Sequence, residues 1–196
     1  MNSDKPRDNC GVFGMFNNKD AVQKTHQGIK DLQHRGEESW GEASCEGNVM
    51  HVYRSMGLIP PSAPNIKGRS AIAHTRYSTA STSDIENCQP IVVANECTIH
   101  QSNDVSRLES FKGHPIAGGH NGNLTGGLEE ETNKGSDTAQ LMRKIGNPSK
   151  GKVLTEIVSA LASVEGAYSI LFLTPDMMIG ARDPLGYRPL SLGFLD

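Results

Sequence analysis

The stretch Cys10-Gly11-Val12-Phe13-Gly14-Met15-Phe16 decides the fold of this chain. Its glycines alternate with apolar residues, a pattern that predicts a buried strand lying close to neighbouring backbone. A thiol begins the strand. An isolated cysteine of this kind is typical of a small apolar side chain packed in a core. A catalytic role therefore depends on which polar residues the rest of the chain brings to it.

Length and composition indicate one globular domain. The chain has 196 residues, of which 36% are hydrophobic, enough for a single domain with a substantial core. Its 19 Lys and Arg nearly balance its 22 Asp and Glu, so no basic surface favours nucleic acid as a partner. No apolar run approaches the ~18 residues that a membrane helix needs. We therefore expect neither a nucleic-acid partner nor a membrane.

The cysteines and the first nine residues bear on location. The four cysteines, Cys10, Cys45, Cys88 and Cys97, have neither CxxC spacing nor a nearby histidine partner, so we expect no metal site. Residues 1–9 are polar and lack the apolar stretch of a signal peptide. They predict a leader that is either a disordered tail or removed. We expect a reducing, cytoplasmic setting with free thiols.

Periodicity predicts alternating blocks of strand and helix. After N-cap residues at 17–20, apolar residues from Ala21 to Leu32 fall on one helical face, and Gly36 ends the segment. Two further helices are predicted at 136–145 and 151–163. Apolar or alternating runs predict strands, which lie at 49–54, 71–74, 91–94, 116–120, 168–173 and 178–182. Helices between strands favour an α+β fold with largely antiparallel sheets.

Two segments between these elements are predicted to be irregular. The polar residues 95–113 indicate a surface excursion without regular structure. Asn121-Gly122 is a turn dipeptide that would end the strand over 116–120. No internal repeat or domain boundary appears in the chain.

Four sets of residues could carry chemistry. Cys10 is a candidate nucleophile, and Arg76 could hold a carboxylate with its two-pronged guanidinium. Asn121 and Gly122 could present an amide and a backbone N–H to one oxygen, as an oxyanion hole requires. Asp137, beside Ser136 at a predicted helix start, could bind an ammonium group.

Each of these residues also has a purely structural explanation. Arg76 could form a surface ion pair of little energetic value. Asn121-Gly122 could be only a turn. Asp137 could be an acid favoured by the helix dipole in the first turn. Taken singly, none of them assigns a function.

Together, eight motifs in order identify a family. They are Cys10–Gly14, Leu32–Ser39, His74–Thr79, Glu86–Pro90, His120–Leu124, Ser136–Thr138, Gly166–Ser169 and Arg182–Pro189. With these motifs the chain, from residue 10 onward, resembles the glutaminase domain of the amidophosphoribosyltransferase family, which commits carbon to purine synthesis. Gln33-His34-Arg35-Gly36 and Arg76-Tyr77-Ser78-Thr79 favour this branch of the class II amidotransferases over the glucosamine-phosphate synthases.

The resemblance implies a fold and a processing step. The fold would be an N-terminal-nucleophile hydrolase, with two antiparallel sheets stacked between helical layers in the order αββα. Residues 1–9 would be a propeptide and 10–196 the glutaminase domain. Removal of the propeptide would leave Cys10 as the chain terminus. Its α-amine, of pKa ~7.7–8.0, could then accept the proton of a thiol of pKa ~8.5.

The resemblance also implies a role for each site residue. Arg76 would hold the α-carboxylate of glutamine and Asp137 its α-ammonium group, while Asn121 and Gly122 would stabilise the oxyanion. Cys10 would attack the amide, release ammonia and leave a thioester for water to hydrolyse. The pocket would be shaped by Gly36 and by a loop of Tyr77, Ser78 and Thr79 that closes over the substrate.

Partners follow from the same resemblance. The ammonia would pass to a phosphoribosyltransferase domain or subunit, whose phosphoribosylpyrophosphate loop is not found in this sequence. No cofactor is expected in this chain, since family members use Mg²⁺ at that other domain. The chain ends soon after Gly193, so we expect it to lack the last glutaminase strands. A homo-oligomer is expected for a full-length protein.

Some residues depart from the family pattern and leave alternatives open. Glu37 replaces a glutamine, Trp40 replaces a small residue, and Gly118-Gly119 replaces an apolar run, which would loosen the strand before His120. One alternative is therefore a non-catalytic module that binds glutamine or a partner without turnover. Another is a structural domain whose thiol has no catalytic role.

Overall fold

The computed structural model describes residues 10–77, 84–128 and 135–195 and contains two antiparallel sheets. The six-stranded sheet has the order β1-β4-β2-β3-β7-β6, and its strands are β1 (Gly11–Met15), β2 (Ser39–Glu46), β3 (Val49–Met56), β4 (Ser70–Arg76), β6 (Glu96–Ser102) and β7 (Ser106–Lys112). The four-stranded sheet has the order β10-β9-β8-β5, and its strands are β5 (Ile91–Val93), β8 (Ile116–Gly126), β9 (Glu165–Leu173) and β10 (Met178–Arg182).

Helices cover the outer faces of both sheets. Helix α1 (Ala21–Asp31) buries Ala21, Val22 and Ile29 against the six-stranded sheet. On the other side, α2 (Asp137–Ile145) and α3 (Val153–Ala162) pack on the four-stranded sheet. A third apolar cluster lies between the sheets, where Ile72 and Val52 meet Leu173. The layer order is αββα, so the predicted fold and all three predicted helices are confirmed.

Tight packing at Gly118 and Gly119 brings the two sheets and helix α2 together. A Cβ at Gly119 would lie 3.8 Å from side-chain atoms of both Val12 and His74, so β8 faces β1 and β4 there. A Cβ at Gly118 would lie 2.5 Å from the Met142 sulfur of α2. Gly118 pairs with Ile91 on one side and both glycines pair with β9 on the other. β8 is thus paired with a neighbouring strand at both glycines, and the Met142 sulfur occupies the place of a side chain at Gly118, while the expected loosening of this strand stays a prediction.

The prediction of an irregular segment over residues 95–113 is also wrong. These residues form a hairpin of β6 and β7 at the edge of the six-stranded sheet, with a bulge between Ile99 and Gln101. Every residue of β6 is exposed, whereas β7 buries Phe111. A strand whose side chains are exposed on both faces carries no apolar alternation, so its polarity resembles that of a loop.

Strand β2 did not appear among the predicted strands, although it lies at the centre of its sheet. It is buried from Ser39 to Cys45, and its polar Glu42 faces helix α1. Glu42 Oε2 lies 3.4 Å from His26 Nδ1, and the ring of Trp40 packs edge-on against the His26 ring. Burial raises the pKa of Glu42 to about 7, although His26 opposes the shift. Buried polar residues hide the apolar run by which a central strand is recognised.

Among the described residues, no helix has both the length and the apolar character needed to cross a membrane.

Candidate active site

Backbone contacts from two directions hold Cys10 at the start of β1. Its backbone N–H donates to the Arg35 carbonyl at 3.0 Å, and Arg35 Nε donates to the Cys10 carbonyl at 2.7 Å. The Tyr77 N–H donates to Cys10 Sγ at 3.5 Å. Cys10 itself has φ +70°, a left-handed conformation that is uncommon for a residue with a side chain. The sulfur is thus fixed beside the end of β4.

Burial and nearby groups shift the pKa of the Cys10 thiol. Burial raises the pKa of the thiol, while the Tyr77 N–H and the positive charge of Arg76 act in the opposite direction. The negative charges of Asp137 and Glu38 raise it further. The thiol is therefore protonated at neutral pH and needs a base before it can attack.

Arg76 is the last residue of β4 and is 7% exposed. Its Nη1 lies 3.3 Å from Glu38 Oε1 in an ion pair with little access to water. The turn before Glu38 crosses β4 closely: a Cβ at Gly36 would lie 2.5 Å from the Arg76 carbonyl carbon. Gly36 thus sets the backbone position of the candidate carboxylate-binding residue, a role sequence reasoning gave it only in outline.

Asn121 and Gly122 lie inside β8, so the prediction of a turn at this dipeptide is wrong. Asn121 pairs with Ser169 and Gly122 with Tyr168 across the ladder to β9. Gly122 has φ +152°, and a Cβ there would lie 2.0 Å from the Ala167 carbonyl oxygen. Position 122 therefore requires glycine because the two strands approach closely, and not because the chain turns there.

The acceptor oxygen of the Asn121 side chain is unpaired, whereas an oxyanion would need the N–H donors of the same amide. The residue is 5% exposed, and its Oδ1 has no hydrogen-bond partner among the residues that the structure describes. A buried amide with an unused polar atom is costly unless something binds it.

Asp137 begins helix α2 as predicted, with Ser136 Oγ accepting from the Ala139 N–H at 3.3 Å. Besides its favourable interaction with the helix dipole, the Asp137 carboxylate accepts two backbone hydrogen bonds. Oδ2 accepts from the Leu124 N–H of β8 at 3.0 Å, and Oδ1 accepts from the Thr138 N–H at 2.7 Å. The acid is therefore anchored to the same strand that carries Asn121 and Gly122.

The structure thus groups most of the predicted site residues. Cys10, Tyr77 and Arg76 meet where β1 begins and β4 ends, and the charge of Asp137 acts on the same sulfur. Ser78 and Thr79 lie outside the described residues. Five other residues around this site were missed as contributors, although all of them lie in the quoted motifs: Arg35, Glu38, His74, Gln89 and His120.

Known proteins that resemble the chain share one name. An amidophosphoribosyltransferase from Synechocystis is 38% identical over 212 residues, a match that covers 99% of this chain and 40% of the relative. One from Lacticaseibacillus casei is 34% identical over 203 residues and is covered to 94%, as is this chain. The chain belongs to the amidophosphoribosyltransferase family. No protein-family model matches it.

Solved structures of the family agree in fold. The glutamine phosphoribosylpyrophosphate amidotransferase from B. subtilis, complexed with ADP and GMP, superposes with a TM-score of 0.75 at 32% identity. That match covers 94% of this chain and 39% of the other. The N-terminal-nucleophile hydrolase fold is therefore confirmed. The chain spans about two fifths of the first curated relatives and matches the N-terminal glutamine amidotransferase portion of amidophosphoribosyltransferase.

Among the described residues, no group of three or more His, Cys, Asp or Glu side chains could hold a metal ion. Cys10, Cys45, Cys88 and Cys97 are all free thiols.

Proposed function

We propose that this chain hydrolyses glutamine and supplies the ammonia to a phosphoribosyltransferase domain or subunit in the first step of purine biosynthesis. The observation that carries the proposal is the position of Cys10: its sulfur lies beside the end of β4 and within the field of both Arg76 and Asp137. A cation and an anion that both act on one thiol suit a substrate that carries both an α-carboxylate and an α-ammonium group.

The reaction begins with activation of the thiol. Burial keeps Cys10 protonated, so its proton must go to a base. After release of residues 1–9, the α-amine of Cys10 is that base. The same nitrogen donates to the Arg35 carbonyl at 3.0 Å, a contact that would hold the amine in place beside its own side chain.

Attack then forms a bond between Sγ and the amide carbon of glutamine, and the amide oxygen becomes an oxyanion. The Asn121 amide and the Gly122 N–H stabilise that charge. The carbon–nitrogen bond breaks as the amine returns the proton to the leaving group, which departs as ammonia. Water attacks the remaining glutamyl thioester, releasing glutamate and restoring the thiol.

The test combines intact-mass measurement with an assay of glutamate release on the full chain. We expect loss of residues 1–9 and glutamine turnover in the wild type. Cys10→Ala should abolish turnover, whereas the control Cys97→Ala, which changes an exposed cysteine on β6, should keep it. Equal turnover in the two variants would disprove the nucleophile. Glutamine binding with residues 1–9 still attached and no turnover would instead support a non-catalytic module.

A further inference from the structure

A group of buried polar side chains behind the site is not used by the proposed chemistry. It comprises Gln89, which follows the 3₁₀ turn at Ile85–Asn87, together with His120 of β8 and Thr138 of α2. The exposed fraction of each residue is 6% or less. We call these three residues the buried polar group. These residues link two elements that carry candidate site residues: β8, which contains Asn121 and Gly122, and α2, which begins with Asp137.

Gln89 joins β8 to α2 in a defined orientation. The His120 N–H donates to Gln89 Oε1 at 2.7 Å, so the amide oxygen must face β8. The amide nitrogen is then left to donate to Thr138 Oγ1, which lies 3.1 Å away. One side chain thus sets the distance between the strand of the oxyanion donors and the helix that begins with Asp137.

Thr138 is fully hydrogen-bonded in either tautomer of His120. Its Oγ1 accepts from Gln89 and lies 3.0 Å from His120 Nδ1 and 3.4 Å from Asp137 Oδ1. If Nδ1 lacks a proton, the hydroxyl donates to it. If Nδ1 carries a proton, the hydroxyl oxygen accepts a hydrogen bond from it, and the hydroxyl donates to the Asp137 carboxylate. Burial lowers the pKa of His120, which keeps the ring neutral.

The backbone of His120 is held from the other sheet as well. His74 Nε2 donates to the His120 carbonyl at 3.0 Å, because a carbonyl can only accept. Burial lowers the pKa of His74 to about 3, so this contact is one of a neutral ring. The residue directly before Asn121 is thus fixed at its N–H, its carbonyl and its ring.

We propose that Thr138 and Gln89 are positioning residues that hold the Asp137 carboxylate at a fixed place relative to the oxyanion donors of β8. The group that binds the α-ammonium end of glutamine and the groups that bind its side-chain amide would then keep a fixed distance from each other. The inference rests on the proposed function for its effect on glutamine. Its structural part concerns Asp137 alone.

The test uses Thr138→Val, which keeps the shape of the side chain and removes the hydroxyl. The substitution leaves Gln89 Nε2 without an acceptor and loosens Asp137. In the proposed mechanism Asp137 binds glutamine with the same strength in the ground state and in the transition state. KM for glutamine should therefore rise about tenfold while kcat falls less than about threefold. Thr138→Ser, which restores the hydroxyl, should bring KM back toward the wild-type value.

The matched control is Thr25→Val. Thr25 is fully buried in α1 and its hydroxyl donates to the Ala71 carbonyl, so the same substitution loses a buried hydrogen bond away from the site. A second readout is independent of activity. Amide hydrogen exchange at Leu124, whose N–H donates to Asp137 Oδ2, should accelerate at least about tenfold in Thr138→Val but not in Thr25→Val.

The possible results separate the two proposals. A raised KM and faster Leu124 exchange in Thr138→Val only would support the positioning role. The same KM and the same Leu124 exchange in both valine variants would overturn it. If the wild type releases no glutamate while Leu124 exchange still responds only to Thr138→Val, the proposed function fails and the positioning of Asp137 stands.

Discussion

The buried carboxyl of Glu42 should make the stability of this protein fall as pH rises from 4.5 to about 7. Its pKa rises from 4.5 to about 7 on folding because the side chain leaves water. Glu42 is fully buried, lies 3.4 Å from His26 of α1 and pairs with Tyr53 of β3 across the sheet. A tenfold change in a proton-binding constant corresponds to about 1.4 kcal/mol, so ionisation of Glu42 destabilises the folded state by about 3 kcal/mol.

The sign follows from which state holds the proton. Between pH 4.5 and about 7 the folded protein keeps a proton on Glu42 that the unfolded chain has lost. Stability is therefore highest below that window, declines across it and levels off above it. Glu42→Gln retains the shape of the side chain and, in its amide N–H, a donor for His26 Nδ1, because His26 Nε2 already donates to the Pro60 carbonyl, but it cannot ionise. We expect its advantage over the wild type to be below about 1 kcal/mol at pH 5 and to reach about 3 kcal/mol at pH 8.

Urea unfolding at fixed pH measures this difference, followed by the fluorescence of Trp40, the one tryptophan in the sequence. The control is Glu96→Gln on β6, where the side chain is exposed and the substitution should leave the pH dependence unchanged. The reasoning is refuted if Glu42→Gln differs from the wild type by the same amount at pH 5 and pH 8.

Three further outcomes are expected. Gly122→Ala should lower kcat for glutamate release by about 10²–10³, because its Cβ would lie 2.0 Å from the Ala167 carbonyl and displace an oxyanion donor; an unchanged kcat would remove Gly122 from the site. Arg76→Lys keeps the charge but loses the two-pronged geometry, so KM for glutamine should rise at least about tenfold in steady-state assays, and an unaltered KM would argue against carboxylate binding. Arg54→Met should cost roughly 3–5 kcal/mol in urea unfolding, because it strands the buried Glu109 carboxylate that pairs with Arg54; a loss below about 1 kcal/mol would contradict this.

Candidate site residues can be predicted from sequence where residue type alone limits the chemistry. Cys10, Arg76 and Asp137 were selected as thiol, guanidinium and carboxylate, and the structure brings their charges to one place. Thr138 and Gln89 were not selected, because a threonine or a glutamine is an ordinary polar residue until its partners are known. Their contacts join segments 31 to 49 positions apart in the chain.

The same limit explains the errors in the fold. The helix beginning at Asp137 was predictable because its apolar period and its Ser136 cap lie within ten residues. Strand β6 was not, since its regularity comes from backbone bonds to β7 while all its side chains face water. Asn121-Gly122 has the composition of a turn, and only the ladder to β9 makes it strand.

The amino-acid sequence by itself determined the helices, the apolar strands, the family resemblance and the reactive groups, because each depends on local periodicity or on the chemistry of single residues. Tertiary structure alone decided the polar edge hairpin, the central β2 with its buried Glu42, and the buried polar group that links β8 to α2. In those places the stabilising partner lies on another strand or helix. The interactions that stabilise the local conformation therefore involve residues distant in the sequence, and the local sequence does not reveal them.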